Sequence, residues 1–150
     1  MTIRGAVYYK PAFSFKDGAQ ADKLIILLNT PIKENDYLFV PVTSQKKIRS
    51  ETHGCVKHYN AGEFFIPAGK TFFKYNTWII LAQLYPVPSS IIRSSAGYSQ
   101  KATLPSKVMD HVIDCLFKHH SDDIPEMYES LIKPQITDWK RQLSEKFSSE

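Results

Sequence analysis

Cysteine is scarce in this chain, with Cys55 and Cys115 the only two among 150 residues. Two cysteines so far apart in sequence make no disulfide framework and suit a reducing compartment. Long apolar runs are missing too. No stretch approaches the ~20 residues that a membrane-spanning helix needs. The opening Met1-Thr2-Ile3-Arg4-Gly5 lacks the apolar stretch of a signal peptide. The expectation is a cytoplasmic protein with no membrane association. The chain has no Walker motif, no Gly-x-Gly-x-x-Gly, no Gly-x-Ser-x-Gly and no His-Glu-x-x-His, so the nucleotide-, hydrolase- and zinc-protease classes leave no trace. Internal repeats and low-complexity segments are absent. Acidic residues are outnumbered, 15 against 19 lysines and arginines, for a formal net charge of +4. Most of the excess lies in the first 60 residues, which is compatible with a polyanionic partner.

What remains is an ordinary apolar content in a length that suits one domain. The chain reads as strands first and helices last. Residues 5–10, rich in β-branched and aromatic side chains, predict a short strand ended by Pro11. Residues 12–21 read as a long polar loop that carries Phe13, Phe15 and Lys16 around an Asp17-Gly18 turn. Two apolar runs follow, at 22–29 and 36–45, joined by a turn containing Pro31. Within the first, residues 23–28 form a stretch, uniformly apolar after Lys23, that should be buried on both faces. The second contains Pro41, which predicts an edge position or a bulge. If these runs pair as a hairpin, Lys23 at the start of one meets Thr43, Ser44 and Gln45 at the end of the other. Weaker strands are expected at 55–59 and 63–66, and clear ones from Thr77 to Val87. Short strands at this spacing indicate a small barrel or sandwich.

The period changes after Pro105. Val108, Met109, Val112, Ile113, Leu116 and Phe117 recur on one helical face. Asp123-Ile124-Pro125-Glu126 reads as the start of a second helix, interrupted by Pro134, and Ile136, Trp139, Leu143 and Phe147 pattern a third. Trp139 and Leu143 are expected to pack on the barrel or the preceding helix. The fold class is mainly β with C-terminal α-helices. Residues 1–120 form the barrel and its helix, and 121–150 a helical extension of the same domain.

The order of elements resembles the MazF/PemK (Kid-like) toxins of toxin–antitoxin modules. Arg4-Gly5-Ala6-Val7-Tyr8-Tyr9 is similar to their opening strand, and Lys23 to Asn29 to the strand after their long first loop. Val40-Pro41-Val42-Thr43-Ser44-Gln45 is similar to their Pro-x-Thr-Ser segment. Thr77 to Val87, with Gln83, resembles their late strand. The resemblance spans about residues 3–118. It implies an SH3-like barrel, a homodimer, an antitoxin partner and metal-independent cleavage of single-stranded RNA, without cofactors. Lys23 stands where the family places a basic residue, normally arginine. An arginine grips phosphate with a planar fork, whereas a lysine offers a point charge.

Such cleavage needs a base for the 2′-hydroxyl proton, a cation or donor for the charge that grows on the phosphate, and an acid for the leaving oxygen. The resemblance gives Lys23 the cation's role and Thr43 and Ser44 the donor's. The competing readings are a solvated strand-end lysine and hydroxyls that satisfy their own backbone. Gln45, Lys46, Lys47, Arg49 and Lys16 are candidate RNA contacts, with Phe13 and Phe15 as stacking surfaces. His53 and His58 are candidate general bases. They could also flank Cys55 as zinc ligands, but no second pair completes a tetrahedral site, so no metal is expected. His111, His119 and His120 read as structural. Two other functions suit the same fold: a non-catalytic barrel that inhibits a protein target such as gyrase, and a nucleic-acid-binding regulator without turnover.

Overall fold

The computed structural model describes residues 3–94 and 97–136. The chain order is β1 (Ala6–Ser14), β2 (Gln20–Leu27), β3 (Tyr37–Thr43), β4 (Gly54–His58), β5 (Ala61–Ile66), β6 (Thr77–Ile80), β7 (Tyr85–Val87), α1 (Ser89–Arg93), β8 (Ser99–Thr103), α2 (Ser106–His120), a 3₁₀ turn (Ser121–Asp123) and α3 (Glu126–Ile136). The strands form one antiparallel sheet in the order β4-β5-β6-β3-β2-β1-β8, with β7 also paired to β3. The protein is therefore mainly β, and the ladder is an open path that ends at β4 and β8. Among the described residues no helix is long and apolar enough to cross a membrane.

The centre of the sheet is β2 and β3. Side chains alternate across a strand, and both faces of these two are covered. Ile26 and Leu28, with Leu38, Val40 and Val42, join the larger core beneath α2 and α3. Ile25, Leu27 and Phe39 join a second core on the opposite face, with Tyr8, Phe13 and Val87. This is why the run from Leu24 carries no polar alternation. Helix α2 lays Met109, Val112, Ile113 and Leu116 into the larger core, as its periodicity requires. Ile124 and Ile132 bring the segment after α2 into the same core. Trp139, Leu143 and the helix expected around them lie outside the described residues.

Two proline expectations, for Pro11 and Pro134, are corrected, and that for Pro41 is refined. Pro11 does not end β1, because the strand runs to Ser14 across an irregularity between Lys10 and Phe13, where Ala12 takes a positive φ of 52°. Residues 12–21 are thus the tip of a β1–β2 hairpin rather than a free loop. Pro41 lies inside a central strand, yet at a point where one edge of that strand is open. It pairs with Ile25 of β2, at the point where the other edge of β3 passes from β7, paired at 37–39, to β6, paired at 42–43. No strand pairs with Pro41 on that edge, so its missing N–H costs no ladder bond. Pro134 lies within α3 instead of interrupting it. Two elements, α1 and β8, have no sequence expectation. β8, Ser-Gln-Lys-Ala-Thr, is an exposed edge strand; such strands need neither apolar alternation nor β-branched residues on both faces.

Gly5 positions α2 against the sheet. Its φ is +93°, and a Cβ there would stand 2.9 Å from Met109 Cγ and 3.0 Å from the Leu104 carbonyl oxygen. Gly5→Ala combines strain with overpacking and is expected to destabilise the fold by about 1–3 kcal/mol. Urea denaturation measures this, and an unchanged midpoint would mean that the helix shifts without cost.

The expectation that the two cysteines stay apart is also corrected. Cys55 of β4 and Cys115 of α2 are disulfide-bonded, 60 positions apart in sequence and with 5.5 Å between their Cα atoms. Closing so long a loop restricts the unfolded chain, and such a link typically contributes about 2–4 kcal/mol. Cys55→Ser is expected to lower stability by that amount under oxidising conditions and by little once a dithiol is present. An equal loss in both conditions would mean that the serine disturbs packing instead.

Candidate functional site

The polar ends of β2 and β3 open into one cavity of about 390 Å³, lined by Lys23, Thr43, Ser44 and Gln45 together with Tyr9, Asp22, Lys74 and Tyr75. Backbone pairing explains the meeting. The β2–β3 register sets Ile25 opposite Pro41, and continuing it two residues brings Lys23 beside Thr43.

Lys23 is half-buried, and its ammonium donates to the Val42 carbonyl at 3.2 Å. The same nitrogen lies 5.8 Å from the centre of the Phe15 ring. Burial, with a smaller contribution from the positive charge of Arg49, holds its pKa below the ordinary lysine value. Lys23 is therefore a partly desolvated cation rather than a solvated strand end, and partial desolvation strengthens its interaction with an anion. Thr43 Oγ1 accepts the Gln45 N–H at 3.2 Å. Such a turn uses an acceptor lone pair and leaves the threonine O–H to donate. Ser44 is exposed beside it.

Asp22 precedes Lys23 and takes no part in the sequence reading of the site. Its Oδ1 accepts the Ala12 N–H at 2.9 Å, so the irregularity in β1 aims a backbone donor at the carboxylate. The Tyr9 phenol also hydrogen-bonds to Asp22, and desolvation, then that carboxylate, raises its pKa. Single-strand alternation cannot reveal this cluster, because β1 and β2 supply it jointly.

The far wall is the 67–76 loop. Gly69 N–H donates to the Phe73 carbonyl at 3.1 Å, and Asn76 Oδ1 accepts the Ala68 N–H at 2.8 Å. This frame presents Phe72, Lys74 and Tyr75 at the rim, with Tyr75 74% exposed and Phe72 43% exposed.

Other sequence candidates fall elsewhere. Phe13 is buried, 3% exposed, in edge-to-face contact with Phe15 and Tyr85; it is core and offers no stacking face. Lys16 is exposed, with its ammonium 5.3 Å from the centre of the Tyr85 ring. Lys46 and Lys47 are exposed, and Lys46 pairs with Glu51 at 3.5 Å. Arg49 is bound inward instead. Its Nε and Nη2 donate to the two carboxylate oxygens of Glu63 at 2.9 and 3.4 Å, and its Nη1 donates to the Gln45 carbonyl at 3.1 Å. Glu63 is 2% exposed, so Arg49 neutralises a buried charge beneath the segment that carries Thr43 and Ser44. His53 and His58 do not line the cavity. His53 lies beside Cys55, and His58 packs on Tyr59 with ring centres 4.7 Å apart. Gln83 belongs to the turn after β6, where its N–H donates to the Ile80 carbonyl.

No protein-family model matches the chain, and no curated protein matches it in sequence.

Proposed function

We propose that this protein is a metal-independent endoribonuclease of the MazF/PemK toxin type, built on an SH3-like barrel. The observation that carries the reading is the convergence of a half-buried lysine, two adjacent hydroxyls and a carboxylate in one open cavity rimmed by exposed aromatic rings. Phe72 and Tyr75 offer faces on which unpaired bases stack, and Lys74, Lys16 and Lys46 offer phosphate contacts. These rings take the stacking role that Phe13 cannot fill. The proposed partners are single-stranded RNA, a second copy of the chain and an antitoxin that fills the groove. An mRNA substrate places the activity in the cytoplasm.

In this mechanism Lys23 stabilises the dianionic phosphorane, Thr43 and Ser44 donate to its oxygens, and Asp22 accepts the 2′-hydroxyl proton. That proton returns through the carboxylic acid or a water to the leaving 5′-oxygen as the P–O5′ bond breaks. Asp22 replaces His53 and His58 as the proposed base, because it borders Lys23 in the cavity and they do not. The products would be a 2′,3′-cyclic phosphate and a 5′-hydroxyl. Asp22→Asn keeps the shape and removes the base, and is expected to lower the cleavage rate about 10²-fold. Incubation with mixed RNA in a chelator, followed by end-group analysis, tests both points. Products that end in 3′-hydroxyl would overturn this chemistry. If no RNA is cut at all, a barrel that inhibits a protein target such as gyrase becomes the better reading.

A further inference from the structure

The Cys55–Cys115 link borders a separate cavity lined by His53, Phe64, His111 and Asp114, which shares no residue with the proposed RNA site. Cys115 and His119 are four residues apart on α2, so one helix face carries both. β4 brings up Cys55. The two sulfurs and a His119 ring nitrogen all lie within 4.8 Å of one another. Read by sequence, Cys55 lacks a second pair of ligands; α2 supplies that pair from 60 residues away.

The placement of His119 has a structural cause of its own. Its ring rests on Gly62 of β5, where a Cβ would stand 2.7 Å from His119 Cβ and 2.8 Å from Cδ2. Only glycine leaves room for that ring. The neighbouring His120 is committed elsewhere: its Nε2 accepts the Gly62 N–H at 2.9 Å, and its Nδ1 lies 3.1 Å from Asp123. Cys115 Sγ lies 3.5 Å from the Glu63 carbonyl oxygen, a contact in which a thiol can donate and a disulfide sulfur cannot. The arrangement therefore also suits the reduced pair.

We propose that Cys55, Cys115 and His119 form a redox-gated site for a thiophilic divalent cation, zinc foremost, open when the cysteines are thiols and closed when they are joined. Two thiolates and an imidazole are a zinc donor set, and water completes the tetrahedron. The chemistry balances in two steps. A dithiol reductant delivers two electrons and two protons, becomes a disulfide itself, and breaks the protein's S–S bond into two thiols. The cation then displaces both thiol protons and bonds to both sulfurs and to His119. The cation would join β4 to α2 where the disulfide otherwise does, so the clip would persist in a reducing compartment. The site is independent of the RNA reading and would stand if that reading failed.

The test uses the full chain, reduced with a dithiol, freed of it without oxygen, and titrated with Co²⁺. The expected result is one cobalt per chain, with thiolate-to-cobalt charge-transfer absorption and the strong visible bands of tetrahedral cobalt. The oxidised protein should show neither. Zinc should displace the cobalt and raise the unfolding temperature of the reduced protein alone. Cys55→Ser should abolish the charge-transfer signature of the paired thiolates, and His119→Ala should weaken binding at least about tenfold. A folded, reduced protein without that absorption would overturn the proposal. So would His119→Ala binding cobalt as tightly as the native chain. Should reduction unfold the chain, zinc must restore its far-ultraviolet circular dichroism, and failure to do so would be equally decisive.

Discussion

Lys23→Ala is expected to slow RNA cleavage by about 10²–10³-fold, the usual loss when one preorganised donor to a developing oxyanion is removed. The fold should survive. Lys23 is half-buried, and its ammonium donates to the Val42 carbonyl at the cavity edge, while its place in the β1–β2 ladder rests on the backbone. The loss should fall on the rate of the bound complex more than on RNA affinity, since Lys74, Lys16 and Lys46 remain as phosphate contacts. Single-turnover kinetics with a fluorescent oligonucleotide separates the two. Cleavage that survives the substitution would remove Lys23 from the mechanism.

The same residue sets an expected alkaline limit. Burial and the nearby charge of Arg49 lower the Lys23 pKa. As pH rises, the cation is therefore lost earlier than an ordinary lysine would lose it. Activity should decline on that limb. Lys23→Arg keeps the charge throughout, because guanidinium does not deprotonate in this range, and the alkaline decline should disappear. A limb that is unchanged in Lys23→Arg would assign it to another group.

Arg49→Ala is expected to cost about 3–5 kcal/mol of stability, the largest loss predicted for a single side chain here. Removing one partner of a buried pair leaves the other charge without compensation. Glu63 is the buried member, and Arg49 holds both of its oxygens. The asymmetry is testable. Glu63→Gln leaves Arg49 at the more accessible end, with 13% side-chain exposure against 2% for Glu63, and should cost less. Chemical denaturation of both variants measures the difference. An Arg49→Ala protein of native stability that bound RNA weakly would return Arg49 to the role of a phosphate contact. Arg49 also donates to the Gln45 carbonyl, so some loss of activity should accompany the loss of stability through disorder of the Thr43–Gln45 segment.

The contrast between Lys23 and Arg49 shows where sequence reading reaches its limit. Both are basic residues in the same half of the chain, and both read as candidates for phosphate. Lys23 lies at the end of a strand whose apolar period is plain, so its place beside Thr43 follows from pairing two such strands. Arg49 lies in a loop, and its partner Glu63 is read from sequence only as the start of another strand. Pairing of β4, β5 and β6 decides where that carboxylate goes. Phe13 fails as a stacking surface for a related reason. A polar loop and a hairpin tip have the same composition, and the hairpin folds Phe13 into the second core.

The pair of strands around Lys23 and Thr43 thus divides what is local from what is not. Composition and periodicity determined that the chain would be mainly β, that the apolar run ending β2 would be buried on both faces, and that α2 would present one apolar stripe. Those are properties of contiguous side chains, and the hydrophobic effect acts on them wherever the chain goes. Tertiary structure alone decided that Asp22 meets Tyr9, that Arg49 meets Glu63, and that Cys55 meets Cys115 and His119. Each of those meetings joins residues from different elements, and backbone register and helix docking, rather than any local preference, set the distances between them.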